Sequence, residues 1–355
     1  MLTEKKATPK SLGFYMPAEW EKQDAIWLSW PKDPTTWPNK VSQVQKTYIQ
    51  MIEIISSFQK VNLLVDNIKE ENVVRSKLKE AKISVDNIIF WHIETVDAWI
   101  RDYGPTFVIN DKKLGMIDWT FNAWGNKYEE LKKDTNIPQI INEKLQIAYF
   151  NPKIILEGGS IEVDGEGTAL VTEQCLLNPN RNPHHSKDDI EEILCEYLNV
   201  EKVLWLGSGI EGDDTDGHID DITRFVSPAV VVTCIENDTT DSNHTPLRDN
   251  FLRLSSMKDA KNRSLTIIKL PMPEKILGPD NKPFPASYAN FLITNKAVLV
   301  PIYGSKNDDK ALSILKEVFP SKEIIGILCS SMIWGKGAIH CLSQQQPSIS
   351  NFHHH

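Results

Sequence analysis

The sequence predicts an α/β fold in which a β-hairpin recurs along the chain. Two observations lead there. Helices with an apolar stripe alternate with short β-rich runs throughout. Four hairpin-like segments begin at residues 106, 160, 224 and 290, the near-even spacing that a repeat architecture requires. Residue identity between the units is poor, so an irregular α/β domain carrying several hairpins is the competing reading.

In chain order, Val41, Val44, Tyr48, Met51, Ile52, Ile55 and Phe58 recur at three- and four-residue steps and read as an amphipathic helix. Val61 to Val65 reads as a strand, Glu71 to Lys82 as a more charged helix, and Ile88 to Ile93 as another strand. The first hairpin, 106–119, pairs two β-rich runs across a polar turn. The second, 160–172, turns at Asp164-Gly165, a strong turn signal. The third, 224–235, turns at Ser227-Pro228, and the fourth, 290–302, at Asn295-Lys296. A fifth would combine Ile339–Leu342 with residues 25–30, closing the chain's end on its beginning.

The 355 residues, 41% hydrophobic and 25% charged, have ordinary globular composition and suffice for a large core. A net charge of -9 argues against nucleic acid and anionic membranes and favours a cationic ligand. Five cysteines without a C-x-x-C pair do not suggest a disulfide framework or a thiolate zinc site. The first ten residues are polar, without an apolar signal core, so the cytosol is the expected compartment. Residues 348–355 read as a tail, and His353, His354 and His355 resemble the remains of a purification tag.

Cys341 stands apart from the other cysteines. It lies in W-G-K-G-A-I-H-C-L-S-Q-Q-Q-P (334–347), framed by glycines, a histidine and amides, whereas Cys175, Cys195, Cys234 and Cys329 have the apolar or helical surroundings of buried hydrophobes. Polar, glycine-containing stretches precede the hairpins: V-D-A-W-I-R-D-Y-G-P (96–105), L-E-G-G-S (156–160), G-D-D-T-D-G-H-I-D-D (212–221) and G-K-G-A-I-H-C (335–341). If the hairpins are equivalent units around an axis, these stretches converge on one acidic, tryptophan-containing cavity with one thiol.

Three chemistries suit such a cavity. Residues 213–221 resemble ligand material for magnesium, manganese or zinc, although the spacing matches neither an EF-hand nor H-E-x-x-H. A noncatalytic polyamine-binding module would use the same acids. Nucleophilic catalysis on a guanidinium uses all four stretches: paired carboxylates clamp the planar cation over a sulfur, and His218 is the candidate proton donor for departing ammonia. A Cys–His amidase is the neighbouring enzyme reading, but its oxyanion donors are not identifiable.

The motifs M-P-A-E-W-E (16–21), D-A-W-I-R-D-Y-G-P-T-F (97–107), L-E-G-G-S-I (156–161), T-E-Q-C-L-L-N-P-N-R-N-P (172–183), D-D-T-D-G-H-I-D (213–220) and A-I-H-C-L-S-Q-Q-Q-P (338–347) resemble the agmatine deiminase family, also called the Porphyromonas-type peptidylarginine deiminase family. The resemblance covers residues 14–347 in motif order. It implies a pentein fold, a five-bladed α/β propeller with pseudo-fivefold symmetry, in a single catalytic domain spanning 1–347. It also implies guanidine hydrolysis without metal or organic cofactor, on a small cationic guanidino substrate, with a homo-oligomer left open. By motif position, Cys341 is the nucleophile, His218 the general acid and then base, and Asp97 and Asp220 the guanidinium clamp; Glu157 contacts the guanidinium or orients His218. The implied product of agmatine is N-carbamoylputrescine, formed through a covalent S-alkylthiouronium.

Gly335-Lys336-Gly337-Ala338 departs from the G-G-G-N frequent in the family, and Lys336 is expected to face solvent. Asp213 or Asp214 would hold the distal ammonium of agmatine. Free arginine would need Arg101 or Arg181 for its carboxylate, and a peptidyl-arginine would need an open groove. Trp99 is expected beside the pocket, Gly158 and Gly159 in a tight turn, His340 on the far face of a strand, His184 and His185 on the surface, and Trp27, Trp30 and Trp37 in the core.

Overall fold

The structure is a computed structural model that describes residues 7–349. The tag-like His353–His355 lie outside the described residues. Sixteen strands among these form five small sheets, each built on the same plan of an antiparallel pair extended by a parallel strand. The first sheet contains β1 (Gln23–Ser29), β2 (Lys60–Val65) and β3 (Ile88–His92), all mutually parallel. The second contains β4 (Thr106–Ile109), β5 (Leu114–Ile117) and β6 (Ala148–Phe150); the third β7 (Glu162–Val163), β8 (Thr168–Thr172) and β9 (Lys202–Leu206). The fourth contains β10 (Thr223–Ser227), β11 (Val230–Ile235) and β12 (Thr266–Pro271); the fifth β13 (Leu292–Ile293), β14 (Ala297–Ile302) and β15 (Glu323–Leu328). Finally β16 (Ser343–Pro347) returns to pair antiparallel with β1.

A parallel neighbour needs a crossover, and a helix supplies it. Val41–Phe58 joins β1 to β2, and Ile137–Leu145, Lys187–Leu198, His244–Ser256 and Asp308–Val318 do the same in the other four sheets. Of the apolar stripe read from Val41 to Phe58, Val44, Tyr48, Met51, Ile52 and Ile55 are buried as their periodicity requires, while Val41 is half-buried and Phe58, at the helix end, is exposed. The helix expected at Glu71–Lys82 begins earlier, at Ile68, because the Asn67 side chain accepts from the backbone N–H groups of Lys69 and Glu70 and caps it.

The four expected hairpins form, turning at their polar residues. The fifth is shifted. Residues 339–342 are a turn, and the strand that meets β1 is Ser343–Pro347, with Trp27 opposite Gln344. Three consecutive glutamines are poor strand formers. Here their amides find partners: Gln346 accepts from the Trp27 indole at 2.8 Å and Gln345 from Arg101 at 2.6 Å. Cys341 therefore sits on a turn rather than on a strand.

Trp27, Trp30 and Trp37 are core residues, as are Cys234 and Cys329. Cys175 lies in a second apolar cluster with Val108, Ile117 and Val171, and Cys195 is half-buried against it. Among the described residues no helix is long and apolar enough to cross a membrane.

Candidate active site

Each sheet's antiparallel pair is entered through a short irregular segment, and these segments meet. One turn of helix, Ile100–Tyr103, precedes β4; turns at Gly158–Ser160 and Ile219–Asp221 precede β7 and β10; Asn290 lies two residues before β13, and Cys341 two before β16. Side chains from all five come within a few ångströms of one another, which is what the polar stretches of the sequence suggested.

At the centre are His218 and Cys341. His218 Nδ1 lies 3.6 Å from Asp102 Oδ1, and its Nε2 lies 3.9 Å from Glu157 Oε2. Cys341 Sγ lies 3.8 Å from Asp220 Oδ2 and accepts from Asn290 Nδ2 at 3.1 Å. All six side chains are buried. Yet both ring nitrogens of His218, Glu157 Oε2 and Asp220 Oδ1 have no hydrogen-bond partner among the described residues. Buried polar atoms are normally paired, so a convergent set of unpaired ones marks a place for a polar ligand.

The loop that carries His218 is built by Asp213. Its Oδ2 accepts from the backbone N–H of Gly217 and His218, and its Oδ1 from Thr215. Asp213 is thereby spent on backbone and does not line the cavity. Gly159 is needed for space: a Cβ there would stand 2.6 Å from His218 Nδ1 and 2.8 Å from Asp102 Oδ1. Gly335 and Gly337 make room for indoles, since added Cβ atoms would meet Trp37 and Trp99 at 2.6 and 2.5 Å.

Burial disfavours the charged form of His218, but Asp102, Cys175 and Glu157 outweigh it and hold the imidazole well above its usual value. Burial lifts Asp102 to about 6, against the pull of His218. Glu157 is lowered: burial pushes it up, but Arg181, bonded to it at 2.8 Å, and His218 win. Burial pushes the Cys341 thiol well above its ordinary value, and the charges of Asp220, Asp221 and Asp102 push the same way. Asp220 is lowered; burial opposes this, but His340, whose Nδ1 lies 2.7 Å from Oδ2, outweighs it.

His340 occupies a turn, and its ring spans two carboxylates, Asp220 at 2.7 Å and Glu19 at 2.8 Å. Glu19 is bonded in turn to Arg224, which also holds Glu162. A buried ionic column thus backs the site away from the cavity.

The cavity in front has a volume of about 820 Å³, and its wall includes Asp97, Trp99, Asp102, Trp124, Asp214 and Cys341. Asp97 lines it apart from the central cluster. Its oxygens accept from Thr36 at 2.6 Å, the Trp99 indole at 2.9 Å and the Ala98 N–H at 2.7 Å, and burial lifts it to about 7. The carboxylate facing His218 is that of Asp102, five residues on. The Ile100–Tyr103 turn sends the two side chains to different neighbours. Both stood in the same quoted motif, and only the turn separates their roles.

Lys336 does not point simply to solvent. It donates to Asp214 at 2.5 Å, and Tyr128 donates to the same carboxylate, so the cavity mouth is bridged. Arg101 and Arg181 are both buried, Arg101 bonded to Gln345 and the His340 carbonyl, Arg181 to Glu157 and Asp216. The 213–221 acids disperse likewise. Among the described residues the close ligand-type groups are Glu157–Cys175–His218 and Asp220–Asp221–Cys341, not Asp213, Asp214 and Asp216. His184 and His185 are exposed. Asn290 went unread, although it fills the one hairpin-leading position that the motif pattern left blank.

Residues 15–347 match the family profile of Porphyromonas-type peptidyl-arginine deiminase. A Lactococcus lactis relative, provisionally named an agmatine deiminase, is 40% identical over 96% of this chain and 97% of its own. The structure of the agmatine deiminase of Enterococcus faecalis superposes with a TM-score of 0.90 at 37% identity, covering 98% of this chain and 99% of that one. An amidinotransferase from Microseira wollei, 12% identical with a TM-score of 0.55 over 96% of this chain and all of its own, shares the α/β fold alone. With the profile covering nearly the whole chain, the protein belongs to the Porphyromonas-type peptidyl-arginine deiminase family, the family of the agmatine deiminases.

Proposed function

We propose that this protein is an agmatine deiminase, hydrolysing agmatine to N-carbamoylputrescine and ammonia with Cys341 as nucleophile. The observation that carries the reading is the convergence of one thiol with the unpaired oxygens of Asp220 and Glu157 and the unpaired nitrogens of His218. A flat cation rich in N–H donors satisfies those oxygens together. Asp220 and Asp102 form the clamp in this reading, with Asp102 taking the place expected of Asp97. Glu157, held by Arg181, steadies His218.

The bound guanidinium offsets the negative charge around Cys341 and thereby favours its thiolate. The sulfur adds to the central carbon, giving a neutral tetrahedral adduct. Imidazolium His218 protonates one amino group, ammonia leaves, and the S-alkylthiouronium remains. Neutral His218 then takes a proton from water as its oxygen adds to that carbon. Collapse expels the thiolate and releases the ureido product with one proton, which ammonia takes up.

The tail favours agmatine over arginine. Lys32 and Lys336 are the cations on the cavity wall, and each is already paired, with Asp66 and Asp214. Arg101 and Arg181 are committed, so among the described residues lining the cavity no cation is unpaired for an α-carboxylate, while the wall carboxylates Asp33 and Asp97, which make no ion pair, suit a second positive charge. We read the five sheets as blades about one axis in a single catalytic domain, because their leading segments meet at one point. Ammonia release from agmatine, arginine and a peptidyl-arginine tests the assignment; release from arginine in preference to agmatine refutes the substrate, and absence of a Cys341 adduct by mass spectrometry refutes the mechanism. A metal hydrolase centred on 213–221 would instead lose all activity to a chelator and regain it with one divalent ion.

A further inference from the structure

We infer that Asn290 is a catalytic residue, a neutral side-chain donor that holds the Cys341 sulfur and supports its negative charge. Its side chain makes four contacts with the nucleophile's surroundings. Oδ1 accepts from the backbone N–H of His340 at 3.0 Å and of Cys341 at 3.4 Å. Nδ2 donates to Cys341 Sγ at 3.1 Å and to Asp221 Oδ1 at 3.0 Å. The orientation of an amide is ordinarily an assignment, but here the neighbours decide it. Two backbone N–H groups can face only the oxygen, so the NH₂ must face the sulfur and the carboxylate.

The setting shows why such a donor matters. The groups acting on the sulfur are the carboxylates of Asp220, Asp221 and Asp102, the phenol of Tyr303 and the backbone N–H of Ala338, a second donor; the imidazoles of His340 and His218 are paired with Asp220 and Asp102. The carboxylates oppose a thiolate. Asn290 offers the sulfur an N–H without adding a charge that would repel a cationic substrate, and its oxygen fixes the turn that presents Cys341. Asn290 is itself fully buried, so solvent does not substitute for it.

The inference rests on Cys341 being the nucleophile, and its first test needs no substrate. Alkylation of Cys341 by iodoacetamide, read by peptide mass spectrometry from about pH 6 to 10, is compared in the wild type, Asn290→Ala and Asn290→Asp. Loss of one hydrogen bond to a charged acceptor is expected to slow alkylation near pH 8 by roughly 10-fold or more in Asn290→Ala, and to lower kcat by a similar factor with little change in KM. Asn290→Asp keeps the backbone-facing oxygen and, at the alkaline end of the range where its carboxyl has lost its proton, offers the sulfur no hydrogen, so alkylation there is expected to be at least as slow as in Asn290→Ala. Wild-type alkylation rates in the folded variants would overturn the inference. If the wild type released no ammonia from agmatine while the alkylation shift appeared, the substrate reading would fall and the role of Asn290 would stand.

Discussion

The inner cluster and the cavity mouth are both rich in acids, yet they treat them oppositely. At the mouth, Asp214 is bonded to Lys336 and Tyr128, and Asp216 to Lys127, Arg181 and Asn180. In the cluster, Asp220 Oδ1, Glu157 Oε2 and both nitrogens of His218 have no hydrogen-bond partner among the described residues although fully buried. The mouth spends its charge on pairs to Lys336 and Lys127 that are partly exposed and screened by water and salt, with only Arg181 reaching Asp216 from the buried side. The cluster withholds its polar atoms in a place where leaving them unpaired is costly. Composition alone would rank the mouth, with its run of aspartates, as the richer site; the distribution of partners reverses that ranking.

That contrast can be broken most directly at the sulfur. Cys341→Ala is expected to lower kcat on the order of 10³-fold or more while a guanidino ligand still binds, measured by calorimetry beside a steady-state assay. Substantial retained turnover would remove the nucleophile from the scheme. Next, Asp102→Asn is expected to cost roughly 10²-fold or more in kcat/KM, against about 10-fold or less for Asp97→Asn, since only Asp102 faces His218. Equal losses would restore Asp97 to the clamp. Gly159→Ala should be comparably damaging to kcat, on the order of 10²-fold, because its Cβ would displace His218 or Asp102.

The pH dependence sharpens the same comparison. Asp102 is held at about 6, so kcat/KM for agmatine should fall as pH drops through that value and the clamp is protonated. Asp97, lifted to about 7, keeps in the folded state a proton that the unfolded chain loses near its ordinary 3.8. Its burial penalty therefore grows as pH rises between those values and is constant above them. The Tm of Asp97→Asn relative to wild type should accordingly improve on going from about pH 4 to 8; an unchanged difference would mean that Asp97 titrates normally. The smallest effect belongs to the mouth. Lys336→Ala frees Asp214 and should lower KM for agmatine by about 3-fold or less, with a stability change below about 1 kcal/mol, both diminishing in salt.

Much of this was legible without coordinates. Hairpin positions followed from alternating β-rich runs and turn residues, and the first crossover helix from three- and four-residue apolar spacing, because both signals are local. Cys341 stood out by its glycines, histidine and amides and His218 as the histidine of an acidic stretch, whereas the roles of Asp220 and Glu157 were what the family resemblance implied. The strand at Ser343–Pro347 was misplaced because a glutamine run carries no β signal; its pairing is provided by Trp27 and Arg101, distant in sequence. Asp102 drew no notice in the sequence, because a single helical turn decides which carboxylate faces His218 and a lone turn leaves no periodicity to read.

By itself, then, the order of residues determined the alternation of elements, the repeated hairpins and the chemistry available to a site. Only the tertiary structure decided which acids remain unspent, that His340 lies between Glu19 and Asp220, and that Asn290 reaches the sulfur. The physical reason is that a hydrogen-bonding atom's availability depends on every group around it. Those groups come from five sheets whose nearness arises from packing rather than from sequence neighbours.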